Sequence, residues 1–284
     1  MKVRHVLSIA LAPLMLAGVV GCSSSSGTKD SPDQTIKVGS SLGLAPLEFV
    51  GPDGQATGYE VDVANAVLNK LGYQIDWVNT PFEQLFTGLQ TQRYRMGAAG
   101  VYALCDRVNN AAQIGTFALP IGQAGQAITV RSEDGPAIAS WADLKGRTLG
   151  VESAGSTADK VAEANSGAGF TKQIYPDNNA LMLALQQGRI DAAMQSSDVT
   201  AYSIKDNPKL KIAWEVPDTT VAYSFLFRQG DDLLEKVNGA IDEVRTDGTM
   251  AEIYKKYFGE APPNDNPASP DAVVKPISPE NCKK

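Results

Sequence analysis

Blocks of apolar and polar residues alternate along most of the chain, and their period switches between that of a strand and that of a helix. "TIKVGSS" from Thr35 reads as a strand. "GYEVDVANAVLNKLG" then places Val61, Ala64, Val67, Leu68 and Leu71 on one helical face, with Gly72 as a stop. "YQIDWVN" is a second strand. "TPFEQLFTGLQ" opens on a helix-start pattern, with Thr80 as N-cap, Pro81 at the first helical position and Glu83 three residues on. "MGAAGVY" reads as a strand of small residues. This order predicts a parallel α/β sheet. After the extended "GQAITVR" and a break at "SEDGPAIAS", a second series begins. Ser140 and Asp143 resemble a capping box, "RTLGV" is a strand, and "ESAGSTADKVAEA" is a Gly/Ser loop opening a helix. "NNALMLALQQG" is a helix, "IDAAMQ" a strand and "DVTAYSIK" a short helix. "VAYSFLFR" is a strand, and "DDLLEKVNGAIDEVR" and "MAEIYKKYF" are the last helices. Two α/β lobes joined by extended crossings fit this order. Beyond Ala261, Pro262, Pro263, Pro267, Pro270, Pro276 and Pro279 make the tail extended and not core.

The first residues follow a different pattern. Lys2, Arg4 and His5 precede the apolar run "VLSIALAPLMLAGVV", which ends at Gly21 and Cys22. Residues 1–21 read as an export signal, too short and one-sided for a spanning helix. Gly21-Cys22 followed by "SSSSGTKDSPDQ" resembles a bacterial lipobox, with Cys22 lipidated as the mature N-terminus and residues 22–34 as a flexible tether. An ordinary signal peptide cleaved nearby is the alternative. Cleavage would remove His5, the only histidine. That excludes Ser-His-Asp and Cys-His catalysis and histidine-ligated zinc from the mature chain. Of 3 cysteines, Cys105 and Cys282 would remain. Two are too few for a cysteine zinc site, and in an oxidising compartment an even pair suggests a disulfide. No metal and no cofactor is expected. The net charge of -7, before two cations are lost with the leader, argues against a nucleic-acid partner.

Several segments carry a resemblance that covers residues 35 to 259. They are "PLEFVGPDGQATGYEVDVANAVLNKLG", "LFTGLQTQRY", "GQAITVR", "SWADLKGRTLGVESAGSTAD", "ALQQGRIDAAM" and "DGTMAEIYKKYFG". In this order and at these spacings the chain resembles family-3 solute-binding proteins, the polar amino-acid receptors of ABC importers. The resemblance implies the two-lobed α/β fold of periplasmic-binding-protein type II, with two hinge crossings. Lobe 1 would take residues 35–121 and 221–260, lobe 2 residues 122–220, and the tail 261–284 would pack on lobe 1. Ligand would bind in the interlobe cleft, which closes over it.

Site residues follow from the same resemblance. Arg107 falls where the family holds its ligand's carboxylate, and a guanidinium fork suits that group. A surface salt bridge, for instance with Asp106, is the alternative. Gly100 and Tyr102 lie on the turn whose backbone meets the ligand in the family. Ser156 and Thr157 open a helix, where free N–H groups and the dipole favour an anion; a plain N-cap is the alternative. Phe82 matches an aromatic that packs on the ligand, or it is a core residue of its helix. Leu44 stands where the family has a second aromatic. The amine-binding acids are replaced: Ser41 and Ser196 stand where the family has aspartates. Asp198 or Glu48 could substitute, or Asp198 could cap the helix after it. Otherwise the ligand lacks a standard α-amino group, because an ammonium buried without acceptors is costly. Glu60 and Asp62, two apart on a helix, point to different sides and suit a structural role better than paired catalysis.

The expectation is a monomeric, non-enzymatic, lipid-anchored extracytoplasmic receptor, on a Gram-positive surface before a periplasm. It would deliver a small carboxylate-bearing solute, an amino acid or derivative, to an ABC permease. The same fold binding a non-amino-acid carboxylate or an opine-like conjugate is the first rival. An enzyme resembling the cyclohexadienyl dehydratases, which share this fold, is the second.

Overall fold

The computed structural model describes residues 34–134 and 137–282. The export signal, Cys22 and the tether up to residue 33 lie outside them. Among the described residues, no helix is long and apolar enough to cross a membrane.

The first α/β series forms one five-stranded sheet. β1 (Gln34–Ser40) leads through the short strands β2 (Gly43–Leu44), β3 (Glu48–Val50) and β4 (Ala56–Thr57) into helix α1 (Tyr59–Lys70). Val61, Ala64, Val67 and Leu68 are buried along α1, as their spacing dictates. β5 (Tyr73–Asn79) returns parallel to β1. α2 (Phe82–Gln90) begins one residue after the expected start: Pro81 holds the cap position and Thr80 makes no capping bond. The following stretch is strand only over β6 (Met96–Gly97); small residues 98–101 continue as irregular, buried chain, and Tyr102 returns as an isolated bridge to Tyr223. α3 (Cys105–Val108) and α4 (Ala111–Ile114) are single turns before β7 (Thr116–Phe117). The sheet order is β5-β1-β6-β13-β7, with β13 (Leu226–Phe227) antiparallel to both neighbours.

The chain crosses into the second sheet on β8 (Gly122–Arg131). A single 3-10 turn, Trp141–Leu144, precedes β9 (Thr148–Glu152). In that turn Ser140 donates to the Asp143 carboxylate (2.8 Å), half of a capping box. α5 (Thr157–Ala164), β10 (Thr171–Tyr175), α6 (Asn178–Gln186), β11 (Ala192–Ser196) and α7 (Ser197–Ile204) follow. β12 (Leu210–Tyr223) then runs 14 residues, far longer than the "VAYSFLFR" signal, back to the first sheet. The order is β10-β9-β11-β8-β12, with β9 parallel to β10 and β11. β8 and β12 pair antiparallel from Arg131↔Leu210 to Gly122↔Tyr223, so the two crossings travel together. They approach closely: a Cβ on Gly122 would lie 2.3 Å from the Tyr223 ring, so only glycine fits.

α8 (Leu234–Thr246) and α9 (Thr249–Phe258) pack back on the first sheet. Among its described residues the tail has neither helix nor strand, and part of it is buried. Asn266, Ala268 and Ser269 are buried, and the Arg245 guanidinium donates to the carbonyls of Pro270 and Ala272, both at 3.0 Å. Prolines removed N–H donors, but the remaining carbonyls still found a buried cation. Cys282 at its end is disulfide-bonded to Cys105, with a Cα–Cα distance of 5.0 Å.

Candidate functional site

Parallel strands deliver their carboxyl ends to the space between the two sheets, and the cleft is built there. Ser41, Leu44, Phe82, Gly100 and Tyr102 line it from the first sheet's side. Ser156, Thr157 and Ser196 line it from the second. Eight of the ten residues singled out in the sequence are thus brought together. The space between them is narrow and partly open to solvent.

Gly100 holds φ +57°, which L side chains rarely adopt, and its backbone N–H donates to the Glu60 carboxylate at 2.6 Å. Glu60 therefore fixes the cleft floor from behind, which is the structural role its helix position suggested. Glu48 lies buried beside it and accepts from the Ser41 hydroxyl at 3.2 Å. Burial raises both carboxyls: Glu48 well above its ordinary value, pushed further by Glu60, and Glu60 to about 7. Neither lines the cleft.

Ser156 caps α5, its hydroxyl accepting from the Asp159 N–H at 3.1 Å while it lines the cleft. Capping and cleft-lining are therefore not alternatives here. Arg107 contacts two of the lining residues, Tyr102 and Thr157, without being among them. It is 3% exposed. Its guanidinium donates to the carbonyls of Tyr102 (2.8 Å) and Gly155 (2.7 Å) and to the Thr157 hydroxyl (3.4 Å). It also lies 5.8 Å from the centre of the Phe82 ring. Burial lowers its pKa to about 10, which leaves it cationic at neutral pH. Among the described residues it enters no ion pair, and the surface-bridge alternative fails because Asp106 pairs with Lys160 instead. Phe82 packs edge-on against Phe86, 5.6 Å between centres, so it serves helix and cleft together.

Asp198 lies in the first turn of α7, its carboxylate accepting the Val199 N–H at 2.8 Å, and it does not line the cleft. Ser196, not Asp198, holds the cap position.

Sequence reading passed over Glu152, Gln126 and Gln195, which all line the cleft. Glu152 ends β9 and Gln195 is the last residue but one of the neighbouring parallel strand β11, and that position alone was a usable signal. The Gln195 side-chain amide donates to the Glu152 carboxylate. Burial, with Asp177 and Glu83 nearby, raises the Glu152 pKa to about 7. Among the described residues no group of His, Cys, Asp and Glu side chains is placed to hold a metal ion.

Residues 36–260 match the family model of bacterial extracellular solute-binding proteins, family 3. A probable amino-acid ABC transporter-binding protein of Haemophilus influenzae is 31% identical over 86% of this chain and 95% of its own length. Among solved structures, an ancestral arginine-binding protein bound to glutamine is 31% identical. It covers 80% of this chain and 98% of its own, with a TM-score of 0.73. An ancestral amino acid-binding protein, a precursor of cyclohexadienyl dehydratase, is 27% identical over 79% of this chain and 95% of its own, with a TM-score of 0.72.

Proposed function

Because the chain belongs to the bacterial extracellular solute-binding proteins of family 3, we propose that it receives a small carboxylate-bearing solute, an amino acid or derivative, for an ABC permease. One observation carries the reading. Arg107 is a buried guanidinium whose hydrogen bonds all go to uncharged oxygens. A buried charge without a counter-charge is costly, and an incoming carboxylate supplies one. The α5 N-terminus, where Ser156 and Thr157 line the cleft, offers the same anion N–H groups from the other lobe. A solute held by Arg107 on one side and α5 on the other favours the closed state, because only that state makes both contacts. The amino-acid-binding relatives favour an amino acid. Ser41 and Ser196, standing where carboxylates would clamp an ammonium, favour the second reading: a carboxylate solute without a free α-amino group.

The receptor acts as a monomer and is held outside the cell by lipid on Cys22, on a Gram-positive surface. It breaks no bond in its solute. A thermal-shift screen of the protein against amino acids and organic acids tests the function, with each hit recovered and analysed by mass spectrometry. At least one carboxylate solute should raise the melting temperature and return unchanged. A hit returned dehydrated would replace the receptor by the enzyme. Hits confined to solutes without a carboxylate would contradict the role of Arg107.

A further inference from the structure

The cleft contains a second polar cluster that carboxylate binding leaves without a task. Glu152 is the only Asp or Glu among the residues that line it. Among the described residues its carboxylate enters no ion pair: its donor is the neutral amide of Gln195, which is also 3.5 Å from the Asn178 side-chain oxygen. The charged groups that act on Glu152, Asp177 before α6 and Glu83 of α2, are themselves acids. Gln126 lines the cleft from β8 and is 2% exposed. Its amide nitrogen donates to Gly125, while its side-chain oxygen is buried with no partner. An unpartnered buried acceptor and an unpaired carboxylate in one small cavity are both costly unless a donor arrives. The donor that satisfies both is a cation with several N–H groups.

The geometry points to Glu152, aided by Gln126, as the specificity-determining group of the cleft: it receives a positively charged guanidinium or ammonium group on the solute's side chain. The inference rests on the carboxylate-receptor reading and narrows it to basic solutes. A guanidinium is favoured over an ammonium because its planar fork can serve a carboxylate and a neighbouring amide oxygen together. The group sits at the end of β9, while Ser156 and Thr157, four and five residues on, offer the anion site. One strand end therefore supplies acceptors for the cation and, past the loop, donors for the carboxylate. The rival use of Glu152 is as a protonated carboxyl that donates to an acidic solute. The two uses have opposite pH signatures. A cation binds the ionised form, so affinity for it rises with pH through about 7, while affinity for an acid falls. Glu60, which also titrates near 7 behind Gly100, and Glu48 beside it add to either profile. The difference between wild type and a Glu152 variant isolates the share of Glu152.

Calorimetric titration of the whole exported chain with L-arginine, L-glutamine and L-glutamate at pH 6 and pH 8 tests this. Wild type should bind arginine more tightly than glutamate by at least about tenfold, with arginine affinity higher at pH 8. Glu152→Gln should weaken arginine roughly 10- to 100-fold, the scale of a lost charge-assisted hydrogen bond, and reduce its pH dependence. Glutamine should change by less than about threefold. Glutamate bound as tightly as arginine by wild type would overturn the inference, a result that needs no variant to fold. So would an arginine-to-glutamine ratio unaltered by Glu152→Gln. If none of the three binds, the amino-acid reading falls and this inference with it; if all three bind alike, this inference falls alone.

Discussion

Arg107 and Asp106 are neighbours with opposite energetic weight. Asp106 pairs with Lys160, but both side chains are substantially exposed. Exposed pairs are worth about 0–1 kcal/mol, so Asp106→Asn should weaken ligand affinity less than about fivefold in calorimetry. Gly100→Ala should be more harmful. Its φ of +57° costs an L residue about 1–2 kcal/mol, and the new methyl would lie 3.2 Å from Leu44 and 3.3 Å from Leu47. A lowered melting temperature together with weaker binding is the expected result. Glu60 makes a pH prediction. Its folded pKa of about 7 lies above its ordinary 4.5, so the folded state holds the extra proton between those values. Stability from this group is full below about 4.5 and is lost as pH rises through 7. Glu48 and Glu152 act in the same direction. Asp106, Asp231 and Asp247 are held low and act the other way only at more acidic pH. The melting temperature should therefore be higher at pH 5.5 than at pH 8, and Glu60→Gln, which keeps an acceptor for the Gly100 N–H, should shrink that difference. At this scale the sequence disclosed identities but not depth. Arg107 was singled out by the family resemblance at its place after "MGAAGVY"; that it contacts both Tyr102 and Thr157 depends on how two distant segments pack.

Among the elements, the four-residue α3 carries Cys105 at its start and Arg107 two residues on, so the disulfide to Cys282 anchors the turn that presents the cation. The bond spans 177 residues of sequence. Removing such a link typically costs about 2–4 kcal/mol. A Cys105→Ser, Cys282→Ser variant should melt lower and lose hydrogen-exchange protection around Asn266 to Ala272, where the tail is buried. The unreduced, denatured wild type should show no thiol from either residue. Elements with strong helical periodicity, such as α1 and α8, were legible because one buried face dictates their pattern. Short elements were not. β6 and β7 have two residues each, and β10 places its side chains mostly outward, so neither kind leaves a usable apolar rhythm. Proline content in the tail reports lost donors only, whereas Arg245 contacts the tail through carbonyls, which every residue has.

For the whole molecule, the paired strands β8 and β12 carry the chain from the first sheet to the second and back. The Tyr59 hydroxyl donates to the Ile121 carbonyl just before the first crossing, and Ser224 donates to Leu119 just after the second, at 2.5 Å. Val199 of α7 joins the hydrophobic cluster of the first sheet, so part of the closed interface is apolar. Motion about these crossings should appear as a smaller radius of gyration in solution scattering when ligand is added, and an unchanged radius would mean the cleft does not close. The two-lobed plan was legible because the strand–helix alternation stops and restarts at the crossing. The identity of the cleft's far wall was not, since Gln126, Glu152 and Gln195 come from three strands that only the sheet order makes adjacent.

Arg107 as the carboxylate anchor is the central claim, and calorimetry of the best carboxylate ligand against wild type and Arg107→Ala tests it most directly. The account predicts that binding drops by at least about 100-fold, while the variant's far-ultraviolet circular dichroism stays that of the folded protein. Wild-type affinity in a folded Arg107→Ala protein would contradict it.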